Sequence, residues 1–373
     1  MLRGCEIRLY PNKKQEAQIQ LNIDASRFVY NYFLAEKKRA WKEGQKSLSR
    51  YDMSKMLTTL KQEEEYAWLK NADSCCLAYS LIDLDKAYQN FFAHRAKYPK
   101  FHSRYKGKQS YTTQNNSTSK RIKKHIRIEG NKITFLKLGA VKARGLERID
   151  GVIKSATITK KPSGKYFASV LVETEDVIKP NGGGELGIDV GLKEFYTDSN
   201  GNVIDNPRAY QKVQRKLRRE QRRLSRKQKG SNNYNKQKIK VARVHEKVAN
   251  IRKDFIDKQT IKIAEENEFV AVENLNIKGM VKNRRLAKQI SDVSWGTFFT
   301  KLNYKMEEHG GLMVKVDTYY PSSQTCSCCG YKNPIVKNLS VREWDCPECG
   351  THHDRDENAA KNILNKAKEN LAQ

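Results

Sequence analysis

Apolar and polar residues alternate from Cys5 to Tyr10 and stop at Pro11 and Asn12, which predicts a short strand. From residue 13 to about 43 the period changes. Phe28 and Tyr32, and Val29 and Phe33, stand four apart, as on one face of a long helix. A second helix is predicted over about 75–96, where Leu77, Leu81, Leu84, Tyr88 and Phe91 recur at steps of four and three. Residues 126–128, 132–135, 156–159 and 166–172 then alternate or are β-branched, with turn signals at Gly130-Asn131 and Pro162-Ser163-Gly164. This part is expected to be a small β-barrel or sandwich.

Pro180-Asn181-Gly182-Gly183-Gly184 is the clearest boundary in the chain. Beyond it, residues 185–191 read as a buried strand and Phe195-Tyr196-Thr197 as a second, before a turn at 199–202. Val241, Val244, Val248 and Ile251 mark a helical face, and Phe269 to Val272 form another buried strand that ends at Glu273. A helix over about 295–309, a strand over 312–316 and a terminal helix from near Glu357 complete the pattern. Strands alternating with helices predict an α/β domain with a mixed sheet.

Charge changes the picture. Among 373 residues, 72 Lys and Arg face 42 Asp and Glu, a net charge of +30. With 38% hydrophobic residues, the length suffices for two or three domains with real cores. No run approaches the roughly 18 apolar residues of a membrane span, and no apolar signal region opens the chain. A membrane protein and a secreted disulfide scaffold are therefore excluded, and a cytoplasmic, nucleoid-associated protein is expected. Residues 208–253 hold 18 Lys and Arg against Glu220 and Glu246 alone, a net of +16. Such a concentration calls for a polyanion, and nucleic acid is the expected partner. Arg215, Arg218, Arg219, Arg222, Arg223 and Arg226 are the candidate contacts there. In residues 97–106, Lys97, Tyr98, Lys100, Arg104 and Lys106 interleave cations with aromatics, which suits base stacking with phosphate neutralisation. A solvated loop anchored by Phe101 is the other reading of that segment.

Of the eight cysteines, Cys326-x-x-Cys329 and Cys346-x-x-Cys349 are separated by 16 residues, and Gly330 and Gly350 follow the two pairs. This spacing predicts a four-thiolate zinc site with no open position, hence structural. Cys328 could compete through a C-x-C arrangement. Three acids also stand out. Asp189 lies inside an apolar strand, Glu273 follows Val270-Ala271-Val272, and Asp356 opens the last helix. A buried acid needs a reason, and carboxylates holding two Mg²⁺ ions about 4 Å apart are one, because such a pair stabilises the attacking and leaving oxygens of phosphodiester cleavage. As single residues, Asp189 also reads as a strand cap or an arginine partner, Glu273 as a solvated strand end, and Asp356 as an ordinary N-cap.

Taken together, Gly187-Ile188-Asp189-Val190-Gly191, Val272-Glu273-Asn274-Leu275, the cysteine pairs and residues 354–363 (DRDENAAKNI) resemble the TnpB/OrfB family encoded by insertion sequences. Arg8-Leu9-Tyr10-Pro11, Leu84-Asp85-Lys86-Ala87-Tyr88, Tyr98-Pro99-Lys100-Phe101 and residues 319–326 (YYPSSQTC) extend the resemblance over nearly the whole chain. That family comprises compact RNA-guided DNA endonucleases related to type V CRISPR effectors and often labelled transposases. The resemblance implies an α+β multidomain chain: an RNase H-like (RuvC) nuclease domain with an inserted zinc ribbon, plus an N-terminal β-barrel with an inserted helical lobe. Residues 1–12 and 106–180 would be the barrel, 13–105 the helical recognition lobe, 181–317 and 352–373 the nuclease, and 318–351 the ribbon. It implies Asp189, Glu273 and Asp356 as the catalytic, magnesium-holding triad, with Asp354 a neighbouring candidate for the third place. It implies Cys326, Cys329, Cys346 and Cys349 as zinc ligands. The implied partners are a guide RNA from the transposon end and double-stranded target DNA, cut next to a short adjacent motif. Cleavage would leave a 5′-phosphate and a 3′-hydroxyl, with Arg342 either steadying the scissile phosphate or lying on the ribbon surface. The alternatives are a transposase acting on transposon ends and a nuclease-inactive, RNA-guided DNA-binding repressor.

Overall fold

The computed structural model describes residues 1–105, 107–115, 125–175 and 177–372. The chain forms two compact units, Met1–Asp176 and Val177–Gln373.

The first unit starts with strand β1 (Leu2–Tyr10) and continues through helices α1 (Lys13–Lys42), α2 (Arg50–Leu60) and α3 (Ser74–Phe92). Six strands follow: β2 (Ser110–Gln114), β3 (Arg127–Glu129), β4 (Lys132–Phe135), β5 (Gly139–Arg144), β6 (Val152–Lys160) and β7 (Tyr166–Glu173). They make one antiparallel sheet in the order β2-β6-β7-β1-β5-β4-β3. The first strand thus lies mid-sheet, and the helices are an insertion between it and the other strands. Its alternation explains the place, since Cys5, Ile7 and Leu9 are buried on one side. Asn12 and Gln15 form a reciprocal capping box that starts α1. The apolar stripe of α3, Leu77, Leu81 and Leu84, meets Ile19, Ile23 and Phe33 of α1 in one core. That helix stops at Phe92, four residues short of the predicted end, because the Ala93 N–H turns back to Gln89 and Phe91 and His94 takes a left-handed φ of 55°. Helix α2 escaped the periodicity argument, having only Met53, Leu57 and Leu60 to bury.

The second unit contains β8 (Gly184–Val190), β9 (Glu194–Asp198), β10 (Val203–Asp205), α4 (Ala209–Ser225), α5 (Asn232–Glu266) and β11 (Asn267–Glu273). Then come α6 (Ile277–Met280), α7 (Ala287–Val293), α8 (Trp295–Glu308), β12 (Leu312–Val316), β13 (Glu343–Asp345), β14 (His352–Asp354) and α9 (Arg355–Ala372). The main sheet has the order β10-β9-β8-β11-β12, with β8, β11 and β12 parallel and the other pairs antiparallel. Its pleat sorts the side chains. Leu186, Ile188, Val270 and Val272 share a core with Ile256 and Ile263 of α5 and Phe298 and Leu302 of α8. Ala271 and Val316 point the other way, into a core with Ile363 and Ala367 of α9. The basic segment folds as a helical hairpin in which Val213 and Leu217 of α4 pack on Val244 and Val248 of α5. Among the described residues, no helix is long and apolar enough to cross a membrane.

Candidate active site

The same pleat places the acids. Asp189 has the parity of Gly187 on β8, and Glu273 has the parity of Ala271 on β11, so both project towards α9. Val272 is in register with Ile188, which sets Glu273 beside Asp189 at the C-terminal ends of two adjacent parallel strands. Open α/β sheets bind their ligands at that edge. Helix α9 supplies the third acid because it lies unusually close to β8. A Cβ on Gly187 would stand 2.0 Å from the Ala360 carbonyl oxygen, and Ala359 and Ala360 are themselves buried. Small residues on both surfaces therefore bring Asp356, in the first turn of α9, over the strand ends.

Asp189, Glu273 and Asp356 line one cavity of about 350 Å³, together with Glu194, Arg342 and Arg355. Burial pushes the Asp189 carboxyl well above the usual carboxylate range, and the charges of Glu273 and Asp356 add to this; Arg355 and Arg342 oppose it. Burial also raises Glu273. It raises Asp356 as well, against the lowering effect of Arg342. Arg342 holds Asp356 in a forked pair, Nη1 to Oδ1 at 3.3 Å and Nη2 to Oδ2 at 3.2 Å. The N-cap role falls to the other aspartate: Asp354 Oδ1 accepts from the N–H groups of Asp356 and Glu357 at 2.9 Å each. Because Asp354 caps the helix, the Asp356 carboxylate, paired with Arg342, is turned to the cavity. Oxygen donors crowded together at raised pKa suit a hard divalent cation such as Mg²⁺ or Mn²⁺.

The cysteines converge as well. The sulfurs of Cys326, Cys329, Cys346 and Cys349 lie within 4.8 Å of one another, with Cys326 to Cys349 at 3.7 Å and Cys329 to Cys346 at 3.5 Å. A tetrahedron with Zn–S bonds of about 2.3 Å has edges of about 3.8 Å, so the cluster fits zinc. Two like turns build it. Gly330 N–H donates to the Cys326 carbonyl and Gly350 N–H to that of Cys346, each glycine at positive φ. Cys328 is exposed and forms a second possible group with Cys326 and His353. His353 Nε2 lies 3.0 Å from the Cys326 sulfur, and its ring packs on Trp344.

Cysteine cluster and acids are tied by two buried asparagines of α9. Asn358 Nδ2 donates to the Thr325 carbonyl at 2.7 Å, and its Oδ1 accepts from the Ser327 N–H at 2.9 Å. Asn362 Nδ2 donates to the carbonyls of Ser322 and Thr325. Arg355, just before Asp356, is held through its N–H to Arg342 and its Nη1 to the Asn338 carbonyl. Asn358, Asn362, Arg355, His353 and Glu194 were not singled out as site residues by sequence reasoning. Two asparagines four apart, set among Ala359, Ala360, Ile363 and Ala367 of the same helix, were the available signal.

Arg215, Arg218, Arg219, Arg222 and Arg223 lie exposed along α4, and Arg226 follows at its C-cap. The buried Glu220 accepts from Gln237 Nε2 of α5 at 2.8 Å, locking the hairpin beneath the arginines. In the first unit, Lys97, Lys100 and Arg104 are exposed, whereas Lys106 lies outside the described residues. The loop is anchored by Tyr98 and His102 rather than by Phe101. The Tyr98 hydroxyl meets that of Tyr88 at 3.0 Å, His102 stacks on Tyr30 with 3.9 Å between centroids, and Phe101 remains 53% exposed under the Lys38 ammonium.

Residues 169–284 match the OrfB/IS605 family, described as "Probable transposase", and residues 295–363 match the "Cas12f1-like, TNB domain". Residues 1–46 match a "Helix-turn-helix domain", although here they form a strand and one uninterrupted helix of 30 residues. A "Putative RNA-guided DNA endonuclease" of Streptomyces pristinaespiralis is 34% identical over 97% of this chain and 88% of its own. The corresponding protein InsQ of Escherichia coli (strain K12) is 32% identical over 97% and 92%. The solved structure of the mini-RNA-guided endonuclease CRISPR-Cas phi3 covers 98% of this chain and 92% of its own with a TM-score of 0.52 at 9% identity, a likeness of fold. With end-to-end relatives above 30% identity and a matching family description over its central residues, the chain belongs to the OrfB/TnpB family.

Proposed function

We propose that this chain is an RNA-guided DNA endonuclease that cuts target DNA with Asp189, Glu273 and Asp356. The observation that carries the reading is the convergence of three carboxylates, from β8, β11 and α9, in one cavity rimmed by Arg342 and Arg355. Bound there, divalent cations such as Mg²⁺ would supply charge neutralisation to the attacking and leaving oxygens of a phosphodiester. The chain's own part is positional. Asp189 and Glu273 are rigid because they end paired strands, and Asp356 is rigid because Asp354 caps its helix and the asparagine clamp fixes its turn. Arg342 neutralises Asp356 in the resting site and lies within reach of a phosphate entering the cavity.

The sheet order, third-second-first-fourth-fifth with the second strand reversed, supports an RNase H-like nuclease domain formed by residues 181–317 and 352–373. Residues 318–351, with Cys326, Cys329, Cys346 and Cys349 as zinc ligands, are proposed as an inserted ribbon. Residues 1–12 and 106–180 are proposed as the barrel-type domain, with 13–105 as its recognition lobe. Guide RNA and target DNA would lie along α4 and the loop of Lys97, Tyr98, Lys100, Arg104 and Lys106, their backbones neutralised by its cations. Base pairing would then supply the sequence specificity.

The test is expression with the native flanking DNA, purification, and sequencing of the bound RNA. One abundant RNA from the element's end, and Mg²⁺-dependent cutting of matched DNA that Asp189→Ala abolishes while RNA binding persists, is the expected result. Cutting by Asp189→Ala at the parent rate would overturn the site. Joined or excised transposon ends formed without RNA would instead favour a transposase.

A further inference from the structure

The second unit holds another cavity, of about 560 Å³, which shares Leu192 and Lys193 with the acid cavity. The turn between β8 and β9 is therefore a common wall. This size is that of a ligand site rather than of a packing fault. Lys193, Arg208 and Lys288 line it against a single carboxylate, Asp292. That carboxylate is already engaged. It accepts from Arg252 Nε at 2.8 Å and from the Tyr210 N–H at 3.1 Å.

The cations are held in place. Lys288 Nζ stands 4.4 Å over the Tyr210 ring. With the Gln214 carboxamide turned so that its oxygen faces the cations, it accepts from Lys288 Nζ at 2.8 Å and from Arg218 Nη2 at 2.7 Å. Arg208 takes a left-handed backbone, φ 45° and ψ 46°, which a side chain of its kind rarely adopts. Its N–H donates to Asn206 Oδ1 at 3.0 Å and its Nη2 to the Lys193 carbonyl at 3.3 Å. Lys193 itself pairs with Glu194, a residue of the acid cavity, at 3.0 Å. Strained backbone and fixed cations beside a reaction centre are what a site that sets substrate register requires.

We propose that this cavity is a nucleotide subsite for the DNA strand being cut, in which Arg208 and Lys288 hold a phosphate neighbouring the scissile one. Lys193 stands at the junction between the two cavities. The inference rests on the nuclease reading and deepens it: the subsite fixes which phosphate of the strand reaches the acids. Arg208 and Lys288 are positioning residues, and both are exposed, so their replacement leaves the core untouched.

The experiment uses the full chain with its co-purified RNA. A fluorescein-labelled 12-nucleotide oligothymidylate is titrated in chelator over a range of salt, and cut positions are mapped, with Mg²⁺ present, on double-stranded DNA matched to that RNA. Lys288→Ala and Arg208→Gln should each weaken binding roughly fivefold at low salt and reduce the slope of log affinity against log salt by about 0.7, the value for one phosphate contact on a single strand. Cut positions should scatter, and Lys288→Arg should restore both readouts. Parent-like affinity, slope and cut positions in both Lys288→Ala and Arg208→Gln would overturn the subsite alone. A parent that binds the strand with this slope but never cuts DNA matched to its RNA in Mg²⁺ would overturn the nuclease reading and leave the subsite standing.

Discussion

The two metal-type sites of the second unit are built in opposite ways. The four cysteines come from two local turns of like geometry, Cys326–Gly330 and Cys346–Gly350, and they close on themselves. The three acids come from β8, β11 and α9, elements far apart in the chain, and they face an open cavity with two arginines on its rim. A closed site can only hold a fold together, whereas an open one can admit a phosphate. Yet Asn358 and Asn362 join them, so the closed site helps to place the open one.

The comparison breaks most visibly if the cysteine cluster is emptied. Structural zinc contributes about 10 kcal/mol or more to the fold of small modules. Cys329→Ser with Cys346→Ser should therefore abolish zinc content and the hydrogen-exchange protection of β13 and β14, while the amides of β8 and β11 stay protected. Full protection of β13 and β14 without metal would show that Trp344 and Val336, buried beside the cysteines, suffice.

Next in size is Gly187→Ala. The new methyl would meet the Ala360 carbonyl oxygen at 2.0 Å, so β8 and α9 must part. A loss of about 3 kcal/mol is expected, read from the urea midpoint. Cutting should fall further than stability, because Asp356 moves with α9. Parent-like stability would mean that α9 is not pressed on the strand.

This helix also marks what was legible in the sequence. The cysteine spacing and the long periodic helices could be read because each is a local pattern. The acids stood out singly, as charges at the ends of apolar runs, but their convergence depends on a register, Val272 beside Ile188, that no local pattern encodes. Asp354 and Asp356 could not be separated by position alone, since either can cap a helix; the hydrogen bonds of Asp354 separate them. Strands β2 and β5 carry too few apolar residues to announce themselves; among the described residues β2 pairs only with the distant β6, and β5 joins its neighbour β4 to the distant β1. The four-residue overrun of α3 has a local cause, the left-handed turn at His94, which a polar tail of neutral helix formers does not signal.

A smaller effect sharpens the link between the sites. Asn358→Ala removes two hydrogen bonds to the cysteine turn and should cost about 1–3 kcal/mol, because the Ser327 N–H loses its partner. Zinc content should stay at one ion per chain while the cutting rate falls. Equal loss of both would mean that Asn358 serves the cysteine cluster and not Asp356.

A final effect separates the sites by their protons. Burial and the neighbouring charges of Glu273 and Asp356 raise the folded-state pKa of Asp189. A carboxyl raised in this way favours the folded state only while it is protonated. Its contribution is therefore full below the ordinary carboxylate range and is lost as pH climbs towards the raised value. Without divalent cations, the parent should lose stability across that window by about 1.4 kcal/mol for each unit by which the pKa is raised. Asp189→Asn, which cannot ionise, should lose less and become the more stable protein at neutral pH. Added Mg²⁺ should reverse the order, since only the parent offers the carboxylate. Urea midpoints at several pH values, with chelator and with Mg²⁺, measure both halves. Identical pH slopes for parent and variant would mean that Asp189 meets water freely and that the open site is not built around a cation.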